Sequence, residues 1–504
     1  MDEKHVTNGS PEKTTSNKVE TILESVGGYS TYQKWMTFIL IFPQFSTAMI
    51  VLSSNFTGSN KVPLYCQKDE DSIYSDGLCN VTCIPLHEDD HVIFTSVVQE
   101  WNLVCSQSWV ADMVTSFQMA GMTLGAIGSS IISDQYGRRK CFLLQTLSMG
   151  ILGMLPALAF NAWSYAIFRF LAGLGVGACF VVYLSHLMEF LTPSWRTICG
   201  TISFWPLGEM FLGLLAYLIG SWRWLTFATA LPALLLVPCY CIVQESPRWL
   251  LIRKKTTEAH DVFSTIAKWN GKEAPSLKMV ADLQEEIVAE ESSSIHGIKA
   301  IRMIASNSRL RLHMSILVLC NITCAVVYYG VTFNAKNLSG NAYWNMFYMG
   351  IFDLIASPAP ILFTNWIGRR KTFIMFMTLG TAFIVALLVI EFSVGIDASS
   401  PMLVNVLSLS GRFGIVAAWG ALTCLILETA PTNLRSTCLG FAAFLGYFGG
   451  ILAPQLFLLR SIATSLPYII LCVLCSSSSI SSWFIRETLK QPLEDTVEKD
   501  KNKC

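Results

Sequence analysis

The 504 residues hold 35 Lys and Arg against 35 Asp and Glu, so the net charge is zero. Only 14% of them are charged, while 52% are hydrophobic. Soluble domains run near 25% charged, and a neutral balance offers no basic field to a nucleic-acid partner. With a mean hydropathy of +0.48, this composition excludes an ordinary soluble fold and calls for a lipid bilayer around the chain.

Residues 1–33 are polar and rich in Lys, Glu, Thr and Ser, without the apolar core of a cleaved leader. They are read as a cytoplasmic tail. The first apolar run, Trp35 to Leu52, is then a retained membrane anchor. A spanning helix takes about 20 apolar residues, and such runs recur near 34–54, 108–132, 141–160, 163–190, 197–219 and 224–243. After a polar stretch they resume near 310–333, 343–364, 372–393, 402–427, 437–459 and 464–485. The reading is an all-α membrane protein of twelve transmembrane helices. It divides into a first six-helix half over 34–243, a cytoplasmic central loop over 244–309, a second six-helix half over 310–485 and a cytoplasmic tail over 486–504.

Basic clusters test the count. Arg138-Arg139-Lys140, Arg253-Lys254-Lys255 and Arg369-Arg370-Lys371 follow spans two, six and eight, and twelve consecutive spans put all three on one side. Positive residues mark the cytoplasmic side, so both termini are expected there. The connection over 55–107 then faces outside. It holds Cys66, Cys79, Cys83 and Cys105, an even number in an oxidising compartment, which predicts two disulfides of open connectivity. It also holds glycosylation sequons at Asn55 and Asn80. A third sequon, at Asn321, falls inside a span and is read as chance. In the central loop, Leu277, Val280, Leu283, Ile287 and Val288 share one side of a predicted amphipathic helix, expected to dock on the cytoplasmic face.

The chain repeats itself. Gly137-Arg138-Arg139-Lys140 recurs 231 positions later as Gly368-Arg369-Arg370-Lys371. Glu189 stands seven before Arg196, and Glu428 stands seven before Arg435, 239 positions on. Glu245 and Glu487 follow spans six and twelve, 242 positions apart. Three matches in order argue for a duplicated six-helix unit, and two like halves around a central cavity suit an alternating-access carrier. Charges at span ends need partners. Asp134, Arg138, Arg139, Glu189, Arg196 and Glu245, with Arg369, Glu428 and Arg435 in the second half, are therefore expected to form a cytoplasmic gate. Its ion pairs would hold the outward-facing state and break as the carrier turns inward.

These residues resemble the major facilitator superfamily and, within it, the organic cation/anion/zwitterion (carnitine) transporter family. Asp134-Gln135-Tyr136-Gly137-Arg138-Arg139-Lys140 is similar to the superfamily signature. Glu100-Trp101-Asn102-Leu103-Val104-Cys105, Trp222-Arg223-Trp224-Leu225 and Glu245-Ser246-Pro247-Arg248-Trp249-Leu250 are similar to the family's own motifs. The resemblance covers nearly the whole chain. It implies the major facilitator fold, a plasma-membrane location and a small organic ion as substrate. Two positions depart from the signature: Ser130 replaces a glycine, and Asn365 replaces the second half's acid. The gate is therefore expected to be stronger in the first half.

In the superfamily the cavity is lined by spans 1, 2, 4, 5 and 7, 8, 10, 11. Glu209 and Asp353 lie mid-span there, and such acids default to functional readings. Around them stand Tyr183, Trp205, Tyr328, Tyr329, Tyr447 and Phe448. An aromatic box with a carboxylate suits an organic cation, and Tyr328-Tyr329-Gly330 matches the family's substrate-lining stretch. The family's cation carriers place a second acid near position 447, and its anion carriers place basic residues near 447 and 357. Here these positions are Tyr447 and Ser357. His186 is the one candidate pocket base weighed, and a core histidine is its blander reading. With no evident basic partner for Glu209 and Asp353, organic cations or zwitterions are expected. An organic anion exchanger is the alternative, and a non-transporting receptor or scaffold on a carrier fold is an alternative of another class. No metal spacing, nucleophile motif or nucleotide loop is found, so no catalytic residue, metal or cofactor is assigned. The coupling ion stays open.

Overall fold

The computed structural model describes residues 15–59, 64–66, 83–85, 94–103, 105–293, 298–337, 340–396, 399–430 and 434–489. Eleven helical segments among them are long and apolar enough to cross a membrane: Thr31–Thr57, Arg138–Leu158, Ala162–Met188, Ile198–Ile219, Trp222–Cys241, Ser308–Lys336, Ala342–Ile367, Arg369–Ser393, Pro401–Thr429, Thr437–Arg460 and Leu466–Phe484. The second span in chain order, Trp109–Tyr136, completes the twelve. It is 28 residues long, more than the bilayer requires, and it carries Asp112, Gln118 and Asp134.

Local sequence explains the breaks. Gly137 and Gly368 turn the chain between spans two and three and between spans eight and nine. Their backbones are near copies, with φ 100 and ψ 159 at Gly137 and φ 105 and ψ 159 at Gly368. Positive φ favours glycine, and a Cβ at either site would also overlap a carboxylate, that of Glu245 or of Glu487. Proline opens the helices Pro43–Leu52, Pro193–Thr201 and Pro401–Thr429, where its missing N–H costs nothing.

Each half packs its own six spans, and the halves meet along span two against span eleven and span five against span eight. Small residues let the helices of a half approach closely, as membrane packing requires. Gly125, Gly173 and Gly177 bring the backbones of spans two and four into direct contact. The end of the molecule carrying the first and last helices is called here the tail face, and the opposite end the far face. At the far face Lys336 Nζ, closing span seven, meets Asp112 Oδ1, opening span two, at 2.6 Å. Just inward, Ser116 Oγ donates to the Ile451 carbonyl at 2.9 Å and accepts from Gln455 Nε2 at 3.0 Å. The far side of the interface between the halves is thus closed.

On the tail face the segments Pro247–Ile252, Thr256–Trp269, Leu277–Ser293 and Ile298–Ser306 fold as helices. Val280, Leu283 and Ile287 are buried as the amphipathic reading requires, while Leu277 is exposed. Residues 15–25 form a further helix that packs against Leu277–Ser293 and buries Val19, Ile22 and Leu23. Asn270 ties this cap to span one. Its Oδ1 accepts from the Tyr32 N–H at 3.0 Å, and its Nδ2 donates to the Val26 carbonyl and to Gln33.

Candidate functional site at the interface of the halves

Span five carries Glu209, span eight Asp353, span seven Tyr328 and Thr332, and span ten Arg412. The structure brings these five side chains together and buries all of them. Glu209 and Arg412 have no exposed surface and Asp353 is 2% exposed. Arg412 Nε donates to Asp353 Oδ1 at 2.8 Å and Nη2 to Asp353 Oδ2 at 2.7 Å, the two-pronged geometry that makes arginine the strongest carboxylate partner. Nη1 donates to Thr332 Oγ1 at 2.6 Å. The guanidinium lies over the Tyr328 ring, 4.5 Å from its centroid, and the Tyr328 hydroxyl donates to Asp353 Oδ2 at 3.0 Å. Both Glu209 oxygens reach Arg412 Nη2 at 2.9 Å. Glu209 belongs to the first half and the other four residues to the second, so this contact joins the halves deep in the membrane.

Arg412 corrects the sequence reading, in which Glu209 and Asp353 had no basic partner. The signal was available. A lone Arg in the apolar run of Pro401–Thr429 is as costly in lipid as the acids. It also lies 243 positions after Arg169, an offset that matches the duplication. Arg169 was passed over in the same way. It sits in span four at 2% exposure. Its partners are Tyr165, Ser53, Gln118, Thr57 and the Ile50 carbonyl, all neutral.

Of the expected aromatics, Tyr329 packs edge-on against Tyr328, with centroids 5.2 Å apart, and Trp419 joins both rings. Tyr183 of span four is buried, and Tyr447 lies on span eleven, which packs along span seven and passes the Tyr329 ring at Gly450. Trp205 is buried one turn before Glu209 and lies 5.7 Å from the Phe180 ring. Phe448 is placed differently. It is 45% exposed and pairs with Phe444. His186 is fully buried, with Nε2 3.0 Å from the Gln244 carbonyl, the bland reading of that residue.

The tail-face charges form two matching braces. Arg138 bridges Asp134 at 2.7 Å and Glu189 at 3.3 Å, and the backbone N–H groups of Arg138 and Arg139 both donate to Glu245 Oε1. Arg139 also donates to the Tyr240 carbonyl and stacks on that ring. In the second half Arg369 bridges Glu428 at 2.9 Å, and the N–H groups of Arg369 and Arg370 donate to Glu487 Oε1. Asn365 provides no carboxylate there, so the second brace lacks the leg that Asp134 gives the first. Two expectations need correction. The braces join spans within each half, as expected, but they are formed while the far face is closed, so they stiffen each half and are not confined to an outward-facing state. Arg196 pairs with Glu20 of the tail helix at 3.0 Å and with the Met188 carbonyl, outside the Glu189 brace. The Arg435 side chain lies outside the described residues.

Beyond the far face, strands Leu64–Cys66 and Cys83–Pro85 pair antiparallel, and Cys66 is the cross-strand partner of Cys83. Asn80, Cys79 and the Cys105 side chain lie outside the described residues. Asn55 corrects the sequon reading. It sits in the helical turn Ser54–Thr57, continuous with span one, and is 3% exposed, which leaves no access for a glycan.

A family model described as sugar (and other) transporter matches residues 48–499. The chain is 30% identical over 417 residues to a solute carrier family 22 member 15-like protein of Xenopus laevis, covering 82% of this chain and 83% of that one. It is also 30% identical to organic cation/carnitine transporter 4 of Arabidopsis thaliana, covering 80% and 76%. The chain belongs to the organic cation/carnitine transporter family of the major facilitator superfamily. The transporter is 29% identical to the organic cation transporter protein of Drosophila melanogaster, over 84% of this chain and 77% of that one. Its fold is that of the xylose transporter XylE of E. coli in a partially occluded inward open conformation. The TM-score is 0.65 at 15% identity, covering 92% of this chain and all of that one.

Proposed function

We propose that this transporter carries small organic cations or zwitterions across the plasma membrane by alternating access. Both termini are cytoplasmic in this reading, and the 55–107 connection is extracellular, glycosylated at Asn80 and held by disulfides. The carrying observation is the charge count at the seam of the halves: two carboxylates, Glu209 and Asp353, against one guanidinium, Arg412, all buried beside Tyr328, on whose ring Tyr329 and Trp419 pack. The uncompensated acid is a place for a positive charge, and aromatic faces add about 2 kcal/mol to a desolvated cation. An anion would find Arg412 already engaged, which tells against the exchanger. The names of its relatives point the same way.

The test is uptake of a permanent organic cation, an organic anion and carnitine by cells expressing the wild-type chain, Glu209→Gln or Asp353→Asn. Saturable uptake of the cation or of carnitine by the wild type, weakened in either variant, is expected. Uptake of the anion alone would overturn the reading.

A further inference from the structure

Arg412 Nη2 carries two hydrogens, yet four oxygens lie within 3.0 Å of it: Oε1 and Oε2 of Glu209 at 2.9 Å, Oδ2 of Asp353 at 2.7 Å and the Tyr328 hydroxyl at 3.0 Å. Asp353 takes the fork from Nε and Nη2 and receives the Tyr328 hydroxyl as well. It is the ionised partner, and with Arg412 it forms a neutral pair inside the second half. Glu209 is left with a share of one N–H. Both carboxyl groups meet on the same nitrogen, Arg412 Nη2, and one guanidinium charge balances only one of them. The other groups around it do not change this count. Span one faces this stretch of span five with Phe45 and Ala48, and the charged residue of span six, Arg223, is engaged by Glu100. We infer that Glu209 binds a proton whenever the halves close over Arg412 and Asp353 without a bound cation, and that the transporter exchanges this proton for its organic cation.

This inference rests on the substrate reading above. When the far side opens, span five draws away from spans eight and ten, and Glu209 is wetted and releases its proton outside. The ionised carboxylate then takes the cation. After the carrier turns and the cation leaves to the cytoplasm, Glu209 must regain a proton from that side before the return. One positive charge moves in and one moves out, so the cycle is electroneutral.

The experiment uses the full chain purified into proteoliposomes, with the potential clamped at zero by potassium and valinomycin. Tetraethylammonium is the probe, because its charge does not titrate. An acid interior should drive its accumulation, approaching about tenfold per pH unit for one-to-one exchange, and Glu209→Gln should abolish that drive. Infrared spectra of the same protein in lipid provide a reading independent of substrate: a protonated-carboxyl stretch present in the wild type but lost in Glu209→Gln. Wild-type accumulation that follows an interior-negative potential and ignores the pH gradient would overturn the exchange. So would the lack of a carboxyl band that Glu209→Gln removes. If that band is present and tetraethylammonium does not enter under any gradient, the cation reading itself fails, and the exchange with it.

Discussion

Asp353 and Glu209 look alike in sequence, yet the structure predicts that their neutral variants differ sharply in stability. Asp353 receives two guanidinium hydrogen bonds, from Nε and Nη2, at 2.8 and 2.7 Å, in a site with no exposed guanidinium surface. Asp353→Asn turns an amide N–H toward that fork and leaves the buried cation only Glu209, on Nη2 alone, as counter-charge. Breaking such a pair costs about 3–5 kcal/mol, about two to nearly four factors of ten in an equilibrium. Glu209 touches only Nη2, and if it already carries a proton, Glu209→Gln is close to an isosteric exchange costing about 1 kcal/mol or less. Asp353→Asn combined with Arg412→Met removes both charges and should recover much of the loss, because no charge stays buried alone. The assays are surface abundance in cells and thermal melting of each purified variant in lipid-supplemented detergent. Equal losses for the two single variants, or a double variant no more stable than Asp353→Asn, would refute the assignment of the ion pair.

Three further outcomes follow from the geometry. Arg138→Ala and Glu189→Gln should each lower uptake per surface molecule severalfold while leaving surface abundance near normal, since the brace stiffens a moving half; uptake normalised to surface biotinylation measures this. Asp112→Asn or Lys336→Met should favour the state open at the far face, raising labelling of an added Gln455→Cys by an impermeant thiol reagent, and the swap Asp112→Lys with Lys336→Asp should restore protection. Asn80→Gln should abolish the glycosidase-sensitive gel shift, whereas Asn55→Gln should leave it unchanged.

The twelve-helix architecture was legible because a bilayer imposes its thickness on the sequence. An apolar run of spanning length has few alternatives, and three basic clusters on one side allow one count. Glu209 and Asp353 were legible for the same reason, since a mid-span acid has a cost that something must offset. What offsets it was not legible by looking for acids and aromatics alone. The pairing of Glu209 with Arg412 joins residues 203 positions apart, and only the packing of span five against span eight and of span ten beside them brings the two together. The tail helix is a different failure. Residues 15–25 are polar enough to read as solvated tail. Their few apolar side chains are buried only because Leu277–Ser293 presents a matching face, a tertiary contact that local pattern does not encode.

The duplication was kept unevenly, and the pattern of what was kept bears on mechanism. At the tail face the two halves remain near copies: glycine turns with the same dihedrals, an Arg–Glu bridge, and a carboxylate accepting two successive N–H groups. Each half must move as a body in an alternating-access cycle, so the same bracing serves both. At mid-membrane the copies have parted. Arg169 is held by neutral oxygens within the first half, whereas its counterpart Arg412 holds Asp353 and reaches across the seam to Glu209. A guanidinium satisfied within its own half does not respond when the halves separate. One that shares a carboxyl group with the other half loses a partner at every opening. In the proposed exchange, this asymmetry puts the ion-sensitive step at the Arg412 side. It also separates two effects of substitution: changes around Arg169 alter folding of the first half, and changes around Arg412 alter the equilibrium between the carrier's two faces.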